Sequence, residues 1–197
     1  YKFGLDTPSG YLWRNDPYAR HMTDSNGVSK VYDPDAFDWG RVAYSTPPWN
    51  EIVLYEMHIG SFNDLPGGPT GTYDTARLRI PYLAALGVNA IEVMPTAEFP
   101  GDNSWGYNPS HPFAVEKGYG GPDAFKRFIK DAHDNGIAVL LDVVYNHLGP
   151  TDLDMWQFDG WNVGGWGGIY FYNSIMAETP WGDTKPDYGR GEVRQYI

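Results

Sequence analysis

Three short apolar runs separated by two segments of helical period constrain this chain more than any other feature. The runs IVLYEMHI (52–59), VNAIEVMP (88–95) and IAVLLDVV (137–144) have strand length and are rich in branched or aromatic residues. Between the first two, Thr72 to Leu86 predicts a helix with Leu78, Tyr82, Ala85 and Leu86 on one face. Gly87 is its stop, and Pro81 marks a kink or a late start. A loop is expected from the second run to Gly121. There GPDAFKRFIKDAHDNG begins a second helix, with Pro122 at its first position, Phe125, Phe128, Ile129 and Ala132 on one face, and Gly136 as its C-terminal cap. Strand, helix, strand, helix, strand implies an α/β fold. Right-handed crossovers would then build a parallel sheet buried on both faces, hence the nearly continuous apolar runs.

Three strands and two helices fall short of a closed parallel barrel, which takes about 250 residues and eight strands. The expectation is therefore a segment of a larger protein. The alternative, a small open three-stranded domain, would expose a hydrophobic parallel edge. Residues 1–45 are turn-rich and aromatic, with Asp16-Pro17 and Asp33-Pro34 steps that end regular structure, and read as the tail of a β module. Pro47-Pro48 makes a linker, which puts a boundary near residue 50. After Leu148 about forty residues (149–188) lack a clear period but hold Trp156, Phe158, Trp161, Trp166, Tyr170, Phe171, Tyr172 and Trp181. Loops of that length are uncommon unless functional or disordered, and aromatic density argues against disorder. The chain starts Tyr1-Lys2-Phe3, unlike an initiator or signal peptide, and stops inside an apolar pattern at Val193, Tyr196 and Ile197. Both ends agree with the segment reading.

Composition narrows the function classes. A net charge of −11 without a basic stripe argues against a nucleic-acid partner. No apolar run reaches the ~20 residues of a membrane span. With no cysteine there is no disulfide framework, thiolate metal site or cysteine nucleophile, which by itself identifies no compartment; a cytoplasmic location is the expectation. Aromatic residues make up 16% of the chain, with eight Trp and fifteen Tyr. Such rings stack on the C–H faces of sugars, and they equally fill cores.

In parallel α/β folds ligands sit beyond the carboxyl ends of the strands, so polar residues there are the site candidates. The first end carries Glu56, His58 and Ser61; the second carries Glu92 and a loop with Glu98, Asp102, Trp105 and Tyr107; the third carries Asp142, Asn146 and His147. Strict alternation puts Asp142, Val144 and Asn146 on one side and His147 on the other, so His147 joins them only if the strand bends after Val144. Each has a structural reading too. Asp142 could be a buried carboxylate held by a core Arg. Asn146 fits loop amides as well as a ligand. His58 reads more readily as a satisfied core histidine. Trp105 and Tyr107 could be loop packing, although Gly and Pro on both sides of them suggest rigid presentation of the rings. No His-x-x-x-His spacing supports a metal trio, and no Gly-rich phosphate loop opens a helix. Neither a metal nor a cofactor is expected.

These residues resemble the α-amylase superfamily of glycoside hydrolases and transglycosylases. DVVYNH (142–147) is similar to the family's signature at the end of barrel strand three, YEMHIGSF (55–62) to strand one, and GVNAIEVMP with FPGDNSWGYNP to strand two and its loop. The resemblance implies that residues 50–197 are the first part of a (β/α)₈ barrel, with three strands and an aromatic insertion at about 149–188. It also implies that residues 1–45 end a β-sandwich, carbohydrate-binding-like module. Tyr107 would stack on the sugar at the cleavage subsite, His147 would donate a hydrogen bond to it, and Asp142 would hold the site's hydrogen-bond network. The position of Asn146 ligates calcium in some amylases, but branching enzymes generally lack that ion.

FPGDNSWGYN and FDGW…WG…PDYGRGEVRQYI lean toward glycogen-branching enzymes and trehalohydrolases. The expected activity of the full-length protein is 1,4-α-glucan branching by a retaining mechanism on glycogen, starch or maltooligosaccharides. A trehalose-releasing or amylolytic hydrolase is the alternative, and a noncatalytic glucan-binding protein is the rival from another class. The nucleophile and acid/base of this family lie on later strands, so none is assigned here and the 197-residue chain alone is expected to be inactive.

Overall fold

The computed structural model describes residues 1–41 and 43–197; Val42, in the stretch assigned to the β module, lies outside the described residues. Its elements run β1 (Phe3–Thr7), β2 (Gly10–Arg14), β3 (Leu54–Met57), α1 (Tyr73–Arg77), α2 (Ile80–Leu86), β4 (Ala90–Val93), β5 (Ala97–Glu98), β6 (His111–Val115), α3 (Gly121–Asp134), β7 (Ala138–Leu141) and α4 (Gly191–Tyr196). The chain packs as two compact units. One, the α/β unit, combines Tyr32–Thr96 with Val115–Val143. The other, the loop-rich unit, combines Tyr1–Val31 with Ala97–Ala114 and Val144–Ile197.

In the α/β unit the three apolar runs form one parallel sheet in the order β3-β4-β7, with Leu54, Ala90 and Ala138 in register. Each strand is shorter than its apolar run. Only the central strand is buried throughout its apolar positions, Ala90, Ile91 and Val93; Leu54 and Leu141 on the two outer strands are about half exposed, at 46% and 51%. Expected burial on both faces therefore holds for β4 alone within this chain.

The helix expected over 72–86 is two helices. Thr72 accepts from the Thr75 amide and the Thr75 hydroxyl accepts from the Thr72 amide, a capping box that starts α1. The chain breaks at Leu78-Arg79, and Pro81 lies in the first turn of α2, the late start the proline signalled. The buried face also corrects the expectation: Leu78, Tyr82 and Leu86 are exposed, while Tyr73, Ala76, Ile80 and Leu83 are buried. Both stripes have helical spacing, and the packing partner decided between them. The Tyr73 ring meets Phe125 at 4.8 Å and Phe128 at 6.0 Å on α3. Asp74 and Arg77 of α1 pair with Arg127 and Asp131 of α3, at 2.9 and 2.6 Å.

Helix α3 follows its sequence signals closely. Pro122 sits in the first turn, and Phe128 and Ala132 are fully buried. The Gly136 amide donates to His133 and the Ile137 amide to Ala132, while Gly136 adopts φ 75°, a left-handed cap that glycine adopts without strain.

The loop-rich unit has little regular structure. The β1–β2 hairpin is antiparallel, with Leu5 opposite Leu12. Within the loop expected up to Gly121, β5 pairs with β6, two strands the apolar pattern did not reveal because Pro112 and two polar residues interrupt it. The aromatic stretch supplies a core: Leu148, Leu153, Met155, Phe171 and Tyr196 cluster with Phe113, Trp156 and Tyr170 against them. Phe171, Trp156 and Tyr170 thus fill a core, the plainer of the two readings, while Trp161 and Trp181 are exposed. The N-terminal arm belongs to this unit: Arg14 donates to the carbonyls of Gln157 and Phe158, the Asn15 amide to Asp154, and the Ser25 hydroxyl to Asp152.

Candidate functional site

The site is assembled from two loops of the loop-rich unit. The first, 99–110, is closed at its base where the Ser110 amide donates to the Glu98 carbonyl at 2.9 Å. Inside it the Ser104 hydroxyl donates to Asn108 Oδ1 and accepts from the Gly106 amide, so 104–108 forms a tight turn. That turn presents Trp105, 70% exposed, and Tyr107, 37% exposed. The second begins at Val144. Strand β7 ends at Leu141, so strict alternation no longer applies and Asn146 and His147 can both serve one side. In place of the expected bend after Val144, the strand ends three residues earlier.

Gly149 fixes how closely the two loops meet. Its amide donates to the Pro109 carbonyl at 2.8 Å, and a Cβ there would lie 2.3 Å from the Asn108 carbonyl oxygen, so glycine is required by the approach of the two backbones. The resulting cavity, about 570 Å³, is lined by Trp105, Tyr107, Asn146, His147 and Trp181, with Ser104, Asn108, Val144 and Pro150 completing the wall. Four of the five expected substrate-binding residues come together in it.

Asp142, the fifth, does not line this cavity and belongs to the α/β unit. Its amide extends the ladder one residue beyond β7 by donating to the Val93 carbonyl at 3.0 Å, and the residue is half-buried. Glu56 and Glu92 are adjacent in the parallel register. His58 places Nδ1 2.8 Å from the Ser61 hydroxyl and Nε2 3.0 Å from the Tyr119 hydroxyl, which is the satisfied histidine the sequence suggested. Among the described residues no three side chains of His, Asp or Glu converge as a metal site.

His147 is the most constrained group of the cavity. It is 3% exposed, and its Nδ1 lies 2.8 Å from Asn146 Oδ1. Burial holds its pKa below the ordinary 6.5, while a hydrogen bond to the Tyr107 main chain acts in the opposite direction. The ring is therefore neutral near pH 7, a polar handle in an aromatic setting.

Trp181 is the lining residue that the sequence did not single out. Its ring stacks on His147 with centroids 4.7 Å apart and planes 19° from parallel. Its available signal was local: Thr-Pro-Trp-Gly is turn chemistry around one large ring. An aromatic cavity with an amide, a hydroxyl and a neutral imidazole can stack on a sugar face and hydrogen-bond its hydroxyls.

Malto-oligosyltrehalose trehalohydrolase of Saccharolobus solfataricus is 38% identical over 200 residues, covering 100% of this chain and 32% of the relative. The 1,4-alpha-glucan branching enzyme GlgB of Burkholderia thailandensis is 38% identical over 208 residues, covering 100% of this chain and 24% of the relative. A Salmonella typhimurium crystal structure, described as an alpha amylase, superposes with a TM-score of 0.82 at 36% identity, over 100% of this chain and 31% of that one. The chain thus spans about a third or less of the length of the relatives it matches. The sequence model of the alpha amylase catalytic domain matches residues 56–157, just over half of the 197, and the chain belongs to the alpha-amylase family.

Proposed function

We propose that residues 99–110 and 144–184 form a sugar-binding subsite of an α-1,4-glucan-active enzyme that works with retention, through a covalent glycosyl-enzyme. The observation that carries this reading is the convergence of Trp105, Tyr107, Asn146 and His147 on one cavity. Tyr107 and Trp105 stack on the glucan, His147 hydrogen-bonds a hydroxyl of the ring at the cleavage point, and Asn146 lies against the imidazole at Nδ1. In this reading the nucleophile and the acid/base come from barrel strands outside residues 1–197, and no carboxylate of this chain takes their roles. Residues 1–45 are the end of a β-sandwich module, and 50–197 the beginning of the barrel. The protein is cytoplasmic and binds glucan rather than nucleic acid or membrane.

For the acceptor of the cleaved chain, branching is the reading to which the loop motifs lead: an α-1,4 link is cut and rebuilt as α-1,6. Trehalose-releasing hydrolysis is the second, supported by four trehalohydrolases 36–38% identical over 92–100% of this chain. The complete protein decides between them on amylose and on maltooligosyltrehalose. Loss of iodine stain without new reducing ends supports branching. Free trehalose from the second substrate sinks branching and supports hydrolysis; binding without turnover of either sinks both.

A further inference from the structure

We infer that Trp181 is a positioning residue for His147, holding the imidazole plane that the ring's hydrogen bonds leave free to tilt. The inference rests on the reading of His147 as a hydrogen-bonding partner of the bound sugar. Hydrogen bonds made in the plane of an imidazole fix which way its nitrogens point, but they resist tilting of the ring poorly. His147 has two such partners, Asn146 Oδ1 and the Tyr107 main chain. The indole supplies the remaining constraint, lying against the imidazole face at 4.7 Å and 19°.

The indole is itself held. Thr179 and Gly182 exchange main-chain hydrogen bonds of 3.0 and 3.2 Å around a two-residue Pro180-Trp181 turn, and the Thr179 hydroxyl accepts from the Trp181 amide and donates to the Gly182 carbonyl. The turn is anchored next to its target: the Leu148 amide donates to the Thr184 carbonyl at 3.1 Å, and the Thr184 hydroxyl donates back to the Leu148 carbonyl. Leu148 follows His147 directly, so ring and indole are referenced to one point of backbone. Core filling does not account for Trp181, which is 59% exposed while the imidazole beneath it is 3% exposed. Tyr107 is the other titratable side chain lining the cavity, and no charged group acts on His147 appreciably beside burial and the Tyr107 main chain.

The test uses the complete protein, histidine-selectively ¹⁵N-labelled, with the His147 signal assigned by its loss in His147→Gln. In Trp181→Ala the His147 titration moves up toward 6.5 as solvent reaches the ring, and kcat falls about tenfold or more with a smaller change in KM. Trp181→Phe keeps a ring in place and restores most of both. An unmoved titration in a folded Trp181→Ala protein overturns the positioning role. If Trp181→Ala does not fold, Trp181→Leu takes its place, with the same two outcomes. A moved titration with unchanged turnover supports the positioning role and overturns, instead, the reading of His147 as sugar ligand.

Discussion

The α/β unit and the loop-rich unit solve the problem of backbone satisfaction in opposite ways. In the first, strand ladders and helices pair the main chain, and side chains are free to pack: Phe128, Ile91 and Tyr73 are fully buried on regular elements. In the second, side chains do the pairing. Arg14 serves two carbonyls, Asn173 accepts from the amides of Val163 and Gly168, and Thr184 and Asn15 bridge distant segments. Irregular backbone cannot be buried without such partners, so the unit that carries the cavity depends on polar residues where its counterpart depends on periodicity.

That contrast can be broken most severely by large core truncations. Phe128→Ala removes a fully buried ring from α3 and is expected to lower unfolding stability by about 3–5 kcal/mol in denaturant titration. Phe171→Ala, equally buried on irregular backbone, is expected in the same range; a loss under about 1 kcal/mol would show that the aromatic stretch is not a true core. Next, Arg14→Ala strips two carbonyls of a charged donor and should lose roughly 2 kcal/mol, with faster proteolysis near Phe158. Unchanged protection there would remove the polar half of the comparison. Thr72→Ala, which deletes one side of the capping box, should cost about 1 kcal/mol in the α/β unit.

The smallest effect is acid sensitivity. Burial lowers the pKa of His111 and His147 in the loop-rich unit, and of His133 less deeply buried in the α/β unit. As pH falls through the ordinary 6.5 the unfolded chain takes up protons first, so stability is full above that value and declines below it. The melting temperature should be flat above pH 7 and fall gradually toward pH 5. A His111→Asn variant with an unchanged slope would assign that sensitivity elsewhere.

The same contrast governs what was legible beforehand. Helix α3 was readable from Pro122 to Gly136 because capping and periodicity are local properties. The three strands were readable because apolar runs of that length have few other uses. The inward face over 72–86 was not, since Leu78 and Ile80 both head stripes of helical spacing and only Tyr73 packing on Phe125 and Phe128 chooses between them. In the cavity, the loop with Trp105 and Tyr107 and the pair Asn146 and His147 were visible as polar and aromatic residues at strand ends. Trp181 was not, because one exposed ring among seven other aromatics of that stretch has no local mark; its partner lies 34 positions away in the chain.

The two hydrogen bonds between Leu148 and Thr184, 36 positions apart, close the intervening excursion at its neck. Because that loop is already closed, residues inserted at its exposed positions, such as 163–165, add little entropic penalty, whereas Leu153, Met155 and Phe171 stay in the core and Trp181 stays on His147. The exposed tip of this excursion is thus the part in which length and sequence can change while the neck beside His147 is kept.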